Sequence, residues 1–161
     1  METIYFSKVL EGGIIPSKRE EDAGYDIYAC IDEDIQINPG EIKLIPTGIA
    51  SAFSSDYYMQ LQERGSTGTK GLSLRCGVID SGYKNQYFVP INNTTTKPII
   101  ISPVVDKGFE NNAIIVYSTK KAIAQAVLLP VPKTKVIEIP YDELLKITSE
   151  RGLGLLGSSG K

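Results

Sequence analysis

The chain contains no histidine and no tryptophan, only two cysteines, and no excess of positive charge. The missing histidine removes the Ser-His-Asp and Cys-His nucleophile systems, the histidine-based zinc sites and the zinc deaminase signature. Hydrolytic chemistry in such a chain rests on carboxylates, cations, backbone donors and a metal brought in with the substrate. A net charge of -2 and a pI near 5.2 argue against sequence-independent nucleic-acid binding, which needs a cationic surface, but leave room for a local cationic pocket. No apolar run approaches the roughly 20 residues of a membrane-spanning helix. The start, Met1 to Tyr5, lacks the basic, apolar and small-residue regions of a secretory signal, so a cytoplasmic location with no membrane partner is expected. In that setting Cys30 and Cys76 read as two buried free thiols rather than a disulfide.

What is present is a one-domain length, 161 residues, with 42% apolar and 22% charged residues, ordinary for a globular protein. The domain is expected over residues 1–149, with 150–161 as a flexible C-terminal arm of the same domain. Short β-branched or aromatic runs recur: Ile4–Phe6, Ile35–Ile37, Ile42–Ile45, Tyr57–Leu61, Gln86–Val89, Ile99–Ile101, Ala113–Tyr117, Ile123–Leu128 and Lys135–Ile139. Pro39-Gly40, Asn92-Asn93 and Asn111-Asn112 read as turns between them. Strands this short and evenly punctuated predict an all-β jelly roll or barrel. Only Asp142 to Lys146, after Pro140, reads as a short helix, with acids at its start and a lysine at its end.

Four segments offer chemistry. Ala23-Gly24-Tyr25-Asp26 places an acid after a glycine at a strand entry; an isolated aspartate there more often satisfies a turn. Glu63 to Gly71 follows a strand with hydroxyls, glycines and two cations, a donor set suited to phosphate oxygens although the Walker spacing is missing. Gly77-Val78-Ile79-Asp80-Ser81-Gly82-Tyr83 leads into a turn at Ser81-Gly82 that would set Asp80 and Tyr83 together at a hairpin tip. The arm from Arg151 carries glycines and the pair Ser158-Ser159, again phosphate ligands in kind, in a stretch too small in side chain to order itself. Each segment alone is a weak signal, and their order is specific.

That order resembles the trimeric dUTPase family. Ala23 to Ala29 is similar to the motif A-G-x-D-[LI]-x-A, Gly77 to Tyr83 to G-[VI]-I-D-x-x-Y, Ile123-Ala124-Gln125 to the end of G-D-R-I-A-Q, and the C-terminal segment to R-G-x-G-G-F-G-S-T-G. The resemblance implies a distorted jelly-roll barrel that forms a homotrimer, with active sites at subunit contacts and the arm closing over nucleotide. It implies hydrolysis of dUTP to dUMP and pyrophosphate by water attack at the α-phosphorus, assisted by magnesium. Asp80 would hold the water and the 3'-hydroxyl, and Tyr83 would pack on the deoxyribose and reject a 2'-hydroxyl. Arg64, Gly65, Ser66, Gln125, Arg151, Gly157, Ser158 and Ser159 would surround the triphosphate. Asp26 would reach the phosphate-bound magnesium through water. Backbone groups from Leu74 to Tyr83, Gly77 and Ile79 among them, would read uracil, under a lid at Leu156.

The chain also departs from the family pattern. Arg64-Gly65-Ser66 stands for R-S-G, Lys120-Lys121-Ala122 for G-D-R, Lys84-Asn85-Gln86 for R-G-E and Leu155-Leu156 for G-F, while the stretch from Ile91 to Gln125 is longer than usual. Two other functions therefore stay open: a regulatory protein that binds a protein partner through that long stretch, and a dCTP deaminase-related enzyme. Retention of Asp80, Tyr83, Arg151 and the paired serines favours the diphosphatase.

Overall fold

The structure is a computed structural model that describes residues 2–75 and 77–154. In chain order the strands are β1 (Tyr5–Lys8), β2 (Gly24–Ile27), β3 (Ile35–Ile37), β4 (Ile42–Pro46), β5 (Ile49–Ala52), β6 (Tyr57–Gln62), β7 (Leu72–Leu74), β8 (Val78–Asp80), β9 (Phe88–Asn93), β10 (Ile99–Ser102), β11 (Phe109–Glu110), β12 (Ile115–Ser118) and β13 (Ala124–Pro130). Two short helices, α1 (Gly65–Gly68) and α2 (Tyr141–Leu145), complete the described residues. The strands make four small sheets, ordered β1-β5, β11-β12-β10-β3, β2-β13-β6-β8 and β4-β9-β7, antiparallel except for β10 with β12. They wrap one core containing Ile27, Ile45, Met59, Leu61, Tyr87, Ile101 and Ile123, a distorted jelly roll as expected.

The sheet that positions the site is β2-β13-β6-β8. In β6, Met59 and Leu61 point inward while Tyr58, Gln60 and Gln62 face out, and in β13 Ala124 and Ala126 are buried on either side of Gln125. A slip of one residue would turn Met59 and Leu61 to water, at a cost of about 1.5–3 kcal/mol each, so this alternation fixes the register. The register aligns Asp26 of β2, Gln125 of β13 and Gln62 of β6 in one outward row.

The structure corrects several expectations. Asn92-Asn93 is no turn but the end of β9, because the amide side chains satisfy the backbone there. Asn93 donates to the carbonyls of Ile37 (2.9 Å) and Lys97 (2.8 Å), and Asn92 donates to those of Gly40 and Glu41 while accepting from Arg75. Lys135 to Ile139 is not a strand: no neighbour pairs with it, and residues 131–154 are exposed throughout. The turn at Ser81-Gly82 exists, but β8 pairs with β6, whereas β7 and β9 pair with each other. Leu74 to Tyr83 thus crosses between two sheets and is not a hairpin. A second helix, α1, lies where only a loop was expected. Cys30 is a half-buried free thiol with its pKa raised by burial, and Cys76 lies outside the described residues.

Candidate active site

After Gln62 the chain turns at Glu63-Arg64 into the single turn α1. Its glycines are poor helix formers, so side-chain bonds hold it. The buried Thr67 hydroxyl accepts from the Arg64 amide (3.3 Å) and bonds the Arg64 carbonyl (3.2 Å), while the Thr69 hydroxyl donates to the Gly65 carbonyl (2.7 Å). The segment leaves through Gly71, whose φ of 88° favours glycine. Glu63 fastens the other side: its carboxylate accepts from the Leu74 amide (2.8 Å) and the Ser73 hydroxyl (3.4 Å). The Leu74 N–H, foremost, holds this carboxyl below the usual glutamate range.

The Arg64 guanidinium spans two neighbours. Its Nε lies 3.0 Å from Asp26 Oδ1, and its Nη1 donates to the Ala122 carbonyl at 3.4 Å. Gln125 Nε2 donates to the Glu63 carbonyl at 2.8 Å. Gly24 makes this possible: a Cβ there would collide with the Gln125 side chain, so the glycine of the first segment clears space for an amide two strands along. The result is a polar cleft of about 710 Å³ lined by Asp26, Arg64, Gly65, Ser66 and Gln125, closed on its far side by Ser17 to Gly24. The Ser66 hydroxyl has no partner among the described residues and is available to a ligand. A cation, a hydroxyl, a side-chain amide and a carboxylate in one open cleft suit a phosphorylated ligand.

Asp80 and Tyr83 stand apart from this cleft. Asp80 ends β8 and pairs with Tyr58 of β6, and from Tyr58 to the strand end at Gln62 the chain runs about 13 Å. The Tyr83 amide donates to the Asp80 carbonyl (3.0 Å), closing the turn, and the Tyr83 hydroxyl donates to the Gln86 carbonyl (2.9 Å). The Tyr83 ring packs 6.4 Å from that of the fully buried Tyr87, whose hydroxyl is bonded to Ser51, so the exposed tyrosine is backed by the core. Gly77 lies tight against β6, with its carbonyl accepting from the Leu61 amide (2.7 Å), and Ile79 packs on the core. Only backbone groups of these two residues are available to a ligand.

Arg151 donates to the Gly154 carbonyl at 3.2 Å within the exposed C-terminal stretch. Leu156, Gly157, Ser158 and Ser159 lie outside the described residues. The sequence reading missed Lys18 and Arg19, which line the cleft, and the supporting roles of Gly24, Glu63 and Thr67. The hydroxyl three residues beyond Arg64, at a helix start, was the legible signal for Thr67. For a magnesium ion the described residues contain no group of three acidic or histidine ligands. Asp26, with one carboxylate oxygen on Arg64 and the other unpartnered among the described residues, fits an ion that keeps its waters and is carried by phosphates.

Comparison with known proteins agrees with this geometry. The dUTPase family profile matches residues 11–104. The deoxyuridine 5'-triphosphate nucleotidohydrolase of Nautilia profundicola is 33% identical over 158 residues, covering 96% of each chain, and that of Gloeobacter violaceus is 33% identical over 142 residues, covering 86% of this chain and 83% of its own. Among solved structures, the dUTPase of Staphylococcus bacteriophage 80alpha with dUpNHpp superimposes with a TM-score of 0.76 at 23% identity over 99% of both chains. The dUTPase from phage phi11 of S. aureus, which coordinates a structural Mg(II) ion, gives 0.67 at 22% identity over 85% of this chain and 96% of its own. With its ordered motifs, its jelly roll and a relative aligned end to end, the chain belongs to the dUTPase family.

Proposed function

We propose that this protein hydrolyses dUTP to dUMP and pyrophosphate, with water attacking the α-phosphorus. The observation that carries the reading is the convergence of Arg64, Ser66, Gln125 and Asp26 on one cleft in a chain of the dUTPase family. The triphosphate lies along that cleft. Arg64 and Ser66 neutralise and orient phosphate oxygens, and Gln125, held by Glu63, donates its second amide proton. Asp80 orients the attacking water and accepts its proton as the bond to phosphorus forms; pyrophosphate departs. Tyr83, stiffened against Tyr87, walls the sugar and excludes a 2'-hydroxyl. Magnesium, held by the phosphates and reached by Asp26 through water, would neutralise charge on the leaving group.

Asp80 and the Arg64 cleft of one chain stand too far apart for a single site, which favours a homotrimer whose sites combine Asp80 and Tyr83 of one subunit with the cleft of another. Two exposed features support assembly: the apolar Ile42, Leu44 and Phe88 on the β4–β9 face, and the uncovered run that includes Val136 and Ile137. The arm from residue 150, with Arg151, Leu156, Gly157, Ser158 and Ser159, then closes a neighbour's site as a part of the same domain. The expected compartment is the cytoplasm; no helix among the described residues is long and apolar enough to cross a membrane.

The test is incubation with each dNTP and magnesium, measuring pyrophosphate and ammonia. Pyrophosphate from dUTP alone is expected. Ammonia from dCTP would assign deaminase chemistry, and the absence of both products would leave a binding protein.

A further inference from the structure

Behind α1 lies a second, smaller recess of about 90 Å³, on the opposite side of Arg64 from the main cleft. Its lining includes Arg64, Ser66, Lys70, Tyr117 and Lys121. Arg64 is the partition: its Nε faces Asp26 in the main cleft and its Nη1 reaches the Ala122 carbonyl at the recess. The wall opposite α1 comes from the long stretch between β10 and β13, where Gly108 sits so close to the Val116 carbonyl that a Cβ could not fit.

The charge in this recess is unbalanced. Glu110, its one carboxylate, is bound by Lys97 at 2.7 Å, and that ammonium holds its carboxyl below the usual range. Lys120 is drawn outward to Asp106, whereas Lys121 has no ion-pair partner among the described residues. The Tyr117 hydroxyl, in a side chain only 8% exposed, has no hydrogen-bond partner either. Burial pushes this phenol up to about 12, so it stays a donor. An orphaned buried hydroxyl is unfavourable, and an acceptor beside it removes the cost. Ligand pockets for whole small molecules run to about 300 Å³ or more, so this volume fits one phosphoryl group and not a nucleoside.

We propose that the recess is an anion subsite for the terminal phosphate of the bound nucleotide, with Lys121 and Lys70 supplying the charge. It rests on the reading of the main cleft as the triphosphate site, and gives the lengthened β10–β13 stretch a use: it builds the far wall of a pocket that grips the leaving pyrophosphate. The resemblance would put an acid where Lys121 stands, so this grip belongs to the present chain.

Lys121 is exposed, so its substitution should spare the fold. The test compares the wild type with Lys121→Ala, Lys70→Ala, the double variant and Lys121→Arg. It measures kcat and KM for dUTP with magnesium and the Kd of dUpNHpp and of dUMP. Expected for each alanine variant is a weakening of dUpNHpp and a rise in KM of about tenfold, larger in the double variant, with dUMP affinity unchanged and Lys121→Arg near wild type. Equal weakening of dUpNHpp and dUMP would overturn the proposal, as would no weakening of either. A wild type that converts dUTP while the variants match it refutes only the subsite. A wild type that releases no pyrophosphate defeats the functional reading and the subsite with it.

Discussion

The two halves of the catalytic machinery are built differently. The phosphate side is tied together before any ligand arrives: Arg64 is held by Asp26, Gln125 by the Glu63 carbonyl, and α1 by Thr67 and Thr69. The Asp80 side is one turn bond and a tyrosine propped on the core, with an exposed carboxylate at the sheet edge. Preorganised donors lower the reorganisation needed at the transition state, so the cleft is prepared as one rigid unit. The acid lacks such surroundings within its own chain and must find them against another. The largest expected effect follows. Asp80→Asn should bind dUpNHpp normally and lose at least about 100-fold in single-turnover rate. Mixing sharpens the comparison. Asp80→Asn and Arg64→Ala chains, each nearly inactive alone, should after joint refolding recover about a quarter of wild-type activity, since random trimers place an intact Asp80 beside an intact Arg64 in that share of shared sites. Verified mixed trimers without activity would put both residues in one chain's site and break the distinction.

A smaller effect probes the rigidity of the phosphate side. Gly24→Ala places a methyl against Gln125, which must leave the Glu63 carbonyl. Overpacking of this kind costs about 1–3 kcal/mol, and a loss of roughly ten- to thirtyfold in kcat/KM for dUTP is expected as the amide swings out of the row. Unchanged kinetics in a folded variant would show that the row need not be held. On the other side, Tyr83→Ala should narrow the ratio of kcat/KM for dUTP over UTP by about tenfold, because the wall against the 2'-hydroxyl is gone. A constant ratio would assign sugar selection elsewhere.

The legibility of the two sides also differs. The strands around the cleft were readable because their patterns are dense: Met59 and Leu61 alternate with polar residues, and Ala124-Gln125-Ala126 marks its outward residue. The glycine before Asp26 was visible, but the reason for it was not, since Gln125 lies about 100 residues away in sequence and no local rule links them. Likewise Asn92-Asn93 reads locally as a turn and becomes strand only because distant carbonyls of Ile37 and Gly40 receive its amides. Lys135 to Ile139 carries a strand's composition without a strand's partner, so the pattern was right about propensity and silent about pairing. Lys18 and Arg19 gave no signal at all: a charged loop looks the same whether it faces solvent or a cleft.

The smallest expected effect tests the clamp beneath the phosphate side. The Glu63 carboxylate is held below the usual range chiefly by the Leu74 N–H. A carboxyl depressed in the folded state contributes stability that is complete above its unfolded pKa, about 4.3, and is lost as the pH falls through the lower folded value. Asp56 and Glu110 are likewise depressed, by Lys133 and Lys97, so acid sensitivity of the whole protein does not isolate Glu63. The informative quantity is the difference between wild type and Glu63→Gln at one protein concentration. Glutamine keeps an acceptor for the Leu74 amide and loses only the charge, so the difference should be near 1 kcal/mol at neutral pH once solvent screening is allowed for. It should hold constant down to about pH 5 and shrink below about pH 4, as protonation makes the native residue resemble its replacement. Because the clamp shapes the entry to β7 and not the Arg64 contacts, kcat/KM should fall by no more than about threefold. A stability difference that stays flat through the acid range would show that the Glu63 charge does not hold the loop.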